Sequence, residues 1–155
     1  MVEAIPETIK TSNSNITVTP RFFFGLKGDV TNNCCFVDDN TVIYPCGHNV
    51  ILYSMNEKIQ RYIPGIEGSQ GITSLTISHS KKLLAVCEQS TNAVCTVYNI
   101  QKFMDTVRDK KSTTTYDVPM KKRKILMTTE DSARKFISAD FCAQNEKNIV
   151  TCSGG

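Results

Sequence analysis

Residues Gly71 to Ile100 constrain the fold most, because they read as three short strands that cannot stand alone. Ile72–Ser78 alternates, with Thr73, Leu75 and Ile77 on one face and Ile72, Ser74, Thr76 and Ser78 on the other. The polar cluster His79-Ser80-Lys81-Lys82 then supplies a turn. LLAVCEQ, Leu83–Gln89, is a nearly continuous apolar run of strand length, as expected where both faces of a strand are covered. After a second turn at Ser90-Thr91-Asn92, Ala93–Ile100 is rich in β-branched and aromatic residues. Three such strands form an antiparallel meander with two bare edges, so they must be one unit of something larger.

The same rhythm occurs elsewhere. Strand-like runs at Cys34–Asp39, Thr41–Gly47, Asn49–Met55 and Lys58–Gly65 are separated by turn signals at Asp38-Asp39-Asn40, Gly47-His48 and Asn56-Glu57. The second group is completed by Lys121–Thr129, and a third begins with Lys135–Cys142 and Ile149–Cys152. Phe36 and Ile77, each the last apolar residue before a first turn, lie 41 residues apart, and Tyr53 and Tyr98 lie 45 apart. Ile77 and Phe141 are 64 apart, but Gln101–Met120 intervenes as an insert and restores the period. Four strands every 40–45 residues is the signature of a WD-type β-propeller blade. The chain contains no Trp, so Tyr53-Ser54 and Tyr98-Asn99 stand where a Trp-Asp pair would end the third strand.

The fold expected is therefore all-β, a WD-type propeller of about two and a half blades in an incomplete ring. Its divisions are a disordered leader at 1–18, a ring-closing strand at 19–29, blade 1 at 30–65, blade 2 at 66–129 with the insert 101–120, and a partial blade 3 at 130–155. Partial rings leave bare edges, so the chain reads as the N-terminal part of a longer protein whose remaining blades, or another chain, complete the propeller. Phe22, Phe23 and Phe24 are expected to form the ring-closing strand or a partner-binding strand.

The balance of 40% hydrophobic and 21% charged residues with net charge +3 suits a globular domain with a real core. No run of eighteen apolar residues marks a membrane helix, and MVEAIPETIKTSNSN carries no secretory pattern. The seven cysteines, none in a C-x-x-C pair, read as buried, reduced thiols of a cytosolic compartment, and neither they nor His48 and His79 have metal-ligand spacing. The Asn15-Ile16-Thr17 sequon is not expected to be used without a secretory signal. No phosphate loop, paired-acid motif or nucleophile elbow is present, so no catalytic residue and no cofactor is expected.

Several stretches resemble the WD-repeat cilia- and flagella-associated protein 57 family. They include Phe24-Gly25-Leu26-Lys27, Val42-Ile43-Tyr44-Pro45-Cys46-Gly47, Lys58-Ile59-Gln60-Arg61-Tyr62-Ile63-Pro64-Gly65 and Lys135-Phe136-Ile137-Ser138. The most specific phrase is Ile63-Pro64-Gly65 followed by Ser69-Gln70-Gly71. The resemblance implies a non-catalytic scaffold of the ciliary or flagellar axoneme that helps place inner-arm dyneins near the regulatory complex on doublet microtubules. It also implies axonemal proteins, inner-arm dynein and tubulin as partners. Coiled-coil heptads, which that family carries, are absent here.

One segment suggests how a partner would be met. Between Gln101 and Lys124, eight cations (Lys102, Arg108, Lys110, Lys111, Lys121, Lys122, Arg123, Lys124) face three acids (Asp105, Asp109, Asp117). Phe103, Met104 and Val107 would give a short helix one apolar side. Either the segment contacts an acidic partner or it is a solvated loop beside a charge-protected edge strand. A general WD adaptor outside the cilium would use the same stretch, whereas nucleic-acid binding lacks aromatic interleaving or a known module. Cys87 and Cys95, on adjacent strands, read as two small core residues in preference to a redox pair.

Overall fold

A computed structural model describes residues 22–109, 122–129 and 133–154. Blade 1 is a four-stranded antiparallel meander of β1 (Cys35–Asp38), β2 (Thr41–Cys46), β3 (Asn49–Ser54) and β4 (Ile59–Pro64). Blade 2 repeats it with β5 (Gly71–Ile77), β6 (Leu83–Gln89), β7 (Val94–Asn99) and β8 (Lys122–Met127), and helix α1 (Ile100–Asp109) follows β7. β9 (Lys135–Phe141) and β10 (Ile149–Gly154) form the two-stranded start of blade 3. The chain is thus an all-β propeller segment of two full blades and part of a third. The leader at 1–18 and insert residues 110–120 lie outside the described residues.

Strand period sets how the blades stack, since successive side chains enter opposite faces. From β6, Leu84 and Val86 point toward blade 1 and join Ile43, Val50, Leu52, Ile63, Ile72, Leu75 and Tyr98 in one core. Leu83, Ala85 and Cys87 point the other way and join Cys95, Val97, Phe136, Ala139 and Phe141 in a second. Six of the seven β6 residues are buried, which is why its sequence is apolar throughout and not alternating. The first strands of successive blades lie side by side. Thr31 bridges to Ser74 in parallel, and the Thr73 hydroxyl donates to the Phe136 carbonyl at 2.7 Å.

Phe22–Leu26 forms no strand, contrary to expectation. Gly25 has φ +102°, outside the range of an extended ladder. The backbone groups bond elsewhere along blade 1: the Gln60 amide both accepts from the Phe23 N–H at 2.6 Å and donates to the Phe23 carbonyl at 3.0 Å. Cys46 Sγ donates to the Phe24 carbonyl, and the Lys27 N–H to the Pro45 carbonyl. The segment is a strap held on the blade 1 face that carries Tyr44, Ile51, Gln60 and Tyr62, with the Phe23 ring 5.1 Å from that of Tyr62.

Candidate interaction surfaces

The turns β1–β2, β3–β4, β5–β6 and β9–β10 emerge at one end of the blades, and α1 lies there too. Helix α1 starts at a polar cap, since Asn99 Oδ1 accepts the Lys102 N–H at 2.9 Å. Of its expected apolar side, Phe103 is buried in the core between blades 1 and 2 and Met104 packs against that core, while the Val107 side chain lies outside what is described. Beside Met104 runs a groove of about 260 Å³ lined by Asp38, Asp39, Asn40, Thr41, Leu52, Ser54, Glu57 and Arg61. Its walls are fixed by an Asx turn from Asp38 Oδ1 to the Asn40 N–H and by Asn40 Nδ2 donating to Ser54 Oγ. Burial draws the Arg61 pKa down, while Glu57, 3.8 Å away, opposes the shift.

The basic residues singled out from sequence are only partly brought together here. Arg108 lies in α1, and Lys122, Arg123 and Lys124 lie consecutively in β8, the outermost strand of blade 2. Lys124 is exposed. Lys110, Lys111 and Lys121 lie outside the described residues. Phe22 and Phe24, stacked at 6.0 Å, expose 41% and 83% of their surface on the strap.

Polar ties between blades were not legible in the sequence. At the turn end, Glu146 accepts from both the N–H and the hydroxyl of Ser80, joining blades 2 and 3. Those bonds hold the Glu146 carboxyl below its ordinary pKa. Lys81 Nζ donates to the Phe36 carbonyl, tying blade 2 to blade 1. At the opposite end Glu88, 1% exposed, accepts the Ile66 N–H on Oε1 at 3.0 Å. Lys27 Nζ reaches the Ile72 carbonyl at 2.9 Å. The signal for Glu88 was available as the one acid inside the apolar run LLAVCEQ.

Cys87 and Cys95 sit directly opposite each other across β6 and β7, and both are free, fully buried thiols of the core between blades 2 and 3. The neighbouring Cys95 thiol and burial together push the Cys87 pKa up. The expectation of burial holds for these two only, since Cys34, Cys142 and Cys152 are exposed and Cys35 and Cys46 half-buried. Burial in a small-residue layer with Ala85, Ala93 and Ala139 agrees with a packing role. His48 occupies the β2–β3 turn and His79 the β5–β6 turn. Among the described residues no three of His, Cys, Asp and Glu are arranged to hold a metal ion. No described helix is long and apolar enough to cross a membrane.

No family model matches the chain. In sequence it is 31% identical over 141 residues to cilia- and flagella-associated protein 57 of Mus musculus, covering 89% of this chain and 10% of that protein. It is 35% identical over 95 residues to cilia- and flagella-associated protein 57 A of Tetrahymena thermophila, which is 59% of this chain and 7% of that one. The chain therefore spans a tenth or less of the length of these relatives. In fold it resembles the C-terminal WD40 domain of Sif2, with a TM-score of 0.59 and 15% identity over 77% of this chain and 30% of that domain. That likeness agrees with a partial WD-type ring.

Proposed function

Over the tenth of the mouse relative that it spans, the chain is a propeller segment of the cilia- and flagella-associated protein 57 family, and from that premise we propose that it is a non-catalytic scaffold of the ciliary or flagellar axoneme. The observation carrying this reading is the sequence match across 141 residues, laid on blades whose facing sides are filled by core and whose turns gather at their ends. Its finer part is that the segment helps place inner-arm dyneins near the regulatory complex on doublet microtubules, with axonemal proteins, dynein and tubulin as partners.

Two surfaces would serve that role. The end faces expose apolar groups, Phe24 and Phe36 on blade 1 and Ile137 and Val150 on blade 3, and further blades or another chain would cover them to complete the ring. The basic stretch of Arg108, Lys110, Lys111, Lys121, Lys122, Arg123 and Lys124 would meet an acidic partner, with an affinity that falls as salt rises. The test is an immunoblot of salt-washed axonemes against soluble extract, with inner-arm dynein content measured after removal of the protein. Retention in axonemes with loss of inner-arm dynein is expected. Signal confined to soluble or nuclear extract would instead indicate a general WD adaptor.

A further inference from the structure

The outer edges of the two complete blades differ. In blade 1, β4 ends at Pro64, which has no N–H to offer, and its Gln60 side chain is engaged with Phe23 and the Tyr44 hydroxyl. In blade 2, β8 has neither a proline nor a strap bond, and its one irregularity is a shift of register against β7 between Val97↔Lys124 and Tyr98↔Lys122, at the cationic end. It pairs with β7 through Val97↔Lys124, Thr96↔Ile125, Cys95↔Leu126 and Val94↔Met127, and among the described residues its other side pairs with no strand.

That edge is divided along its length. Lys122-Arg123-Lys124 is wholly cationic, and Ile125-Leu126-Met127 is wholly apolar. Leu126 packs against the core between blades 2 and 3, but Ile125 and Met127, on the opposite face, are 48% and 58% exposed. The cations guard one half of the edge against pairing, and the other half carries no charge. A second copy is a poor occupant in either direction. Parallel self-pairing sets cations against cations, and antiparallel self-pairing sets the cations of each copy against the apolar half of the other.

We infer that the free edge of β8 accepts an extended peptide as a fifth, antiparallel strand, and that this peptide is apolar in its N-terminal half and acidic in its C-terminal half. The direction follows from geometry. An antiparallel strand begins beside Met127 and ends beside Lys122, so its apolar residues flank Ile125 and Met127 and its carboxylates flank the three cations. Backbone hydrogen bonds supply the pairing, and the divided edge selects the sequence. The inference rests on reading the basic stretch as a contact surface, and it specifies the class of partner.

The test uses the full chain and a labelled synthetic peptide TVTVTEEE, followed by fluorescence anisotropy at low salt. Comparison peptides are the reversed sequence EEETVTVT and a copy N-methylated at every internal backbone position, which keeps every charge but cannot complete a ladder. Binding of TVTVTEEE is expected to weaken about tenfold or more on N-methylation, because at least two backbone hydrogen bonds are lost. It is also expected to weaken in K122E/R123E/K124E protein and for the reversed peptide. Because N-methylation leaves the protein untouched, misfolding of a variant does not confuse the result. Equal binding of the N-methylated and parent peptides would overturn strand addition while leaving an electrostatic contact standing. Failure of every acidic peptide to bind would overturn both.

Discussion

Gly65 lies in the linker between blades 1 and 2, and replacing it by Ala tests whether that linker is packed as tightly as the geometry says. Its φ is not in the left-handed region, so the backbone alone would accept Ala, and only space decides. A Cβ there would lie 2.8 Å from Glu88 Oε1 and 2.8 Å from the His48 carbonyl oxygen. The carboxylate is pinned by the Ile66 N–H, and the carbonyl belongs to backbone, so neither neighbour yields cheaply. Overpacking of this kind costs about 1–3 kcal/mol, which for a chain of this size lowers Tm by roughly 2–12 °C. Two other glycines serve as controls. Gly28→Ala meets nothing within 4 Å at an ordinary φ, so a change within about 0.5 kcal/mol is expected. Gly47→Ala also has open space, but its φ of +59° is left-handed, so a cost of about 1 kcal/mol is expected from the backbone alone. Thermal and urea unfolding followed by circular dichroism ranks the three. If G65A proved as stable as G28A, the close approach of blades 1 and 2 at this linker would be wrong.

Other perturbations separate local ties from core packing. Gln60→Ala removes both hydrogen bonds to Phe23, so the amides of the strap at 22–27 should exchange with solvent about tenfold faster or more while blade 2 amides hold. Asn99→Ala removes the cap of α1 and should destabilise the helix by about 0.5–2 kcal/mol, read as lost helical dichroism. Ser80→Ala bears on pH. Glu146 has its folded pKa lowered by Ser80, so its contribution to stability is present above the unfolded carboxylate pKa and disappears as pH falls through the folded one. Without the Ser80 hydroxyl the folded pKa should rise toward the ordinary value, and an NMR titration of the Glu146 side chain should show its midpoint move to higher pH.

The strands were legible because period, burial and turn chemistry agree within each of them. LLAVCEQ predicted cover on both faces, and β6 has cores on both sides; the four-strand rhythm predicted two blades and part of a third, and the sheet orders match. Phe103 and Met104 marked the inward side of α1 for the same reason. The strap was misread because aromatic content favours a strand, whereas the Gly25 backbone angle and the Gln60 amide decide its path. Gln60–Phe23 and Ser80–Glu146 are 37 and 66 residues apart, and no local pattern announces such pairs. The phrase most specific to the family proved to be structural. Gly65 has no room for a Cβ, and Gly71 has φ +139° with Lys27 Nζ 3.2 Å from where its Cβ would be.

The strap also gives a way to test completion of the ring. Gln60 holds Phe23 inward against Tyr62, which leaves Phe24 outward at 83% exposure on the strap. In the chain alone, Phe24→Asp removes almost no buried surface, so it should change stability by less than about 0.5 kcal/mol. In a ring closed by further blades the same ring face would be covered, and burying a Phe side chain contributes about 1.5–3 kcal/mol. Phe24→Asp should then cost at least that much, since an unpaired carboxylate would be carried into the contact. Unfolding and protease resistance measured for the variant, once in this chain and once in a longer form with the additional blades, compare the two environments directly. A cost that appears only in the longer form means the strap is the seat of the closing blade. A variant neutral in both would mean the ring closes elsewhere and leaves the strap at the surface.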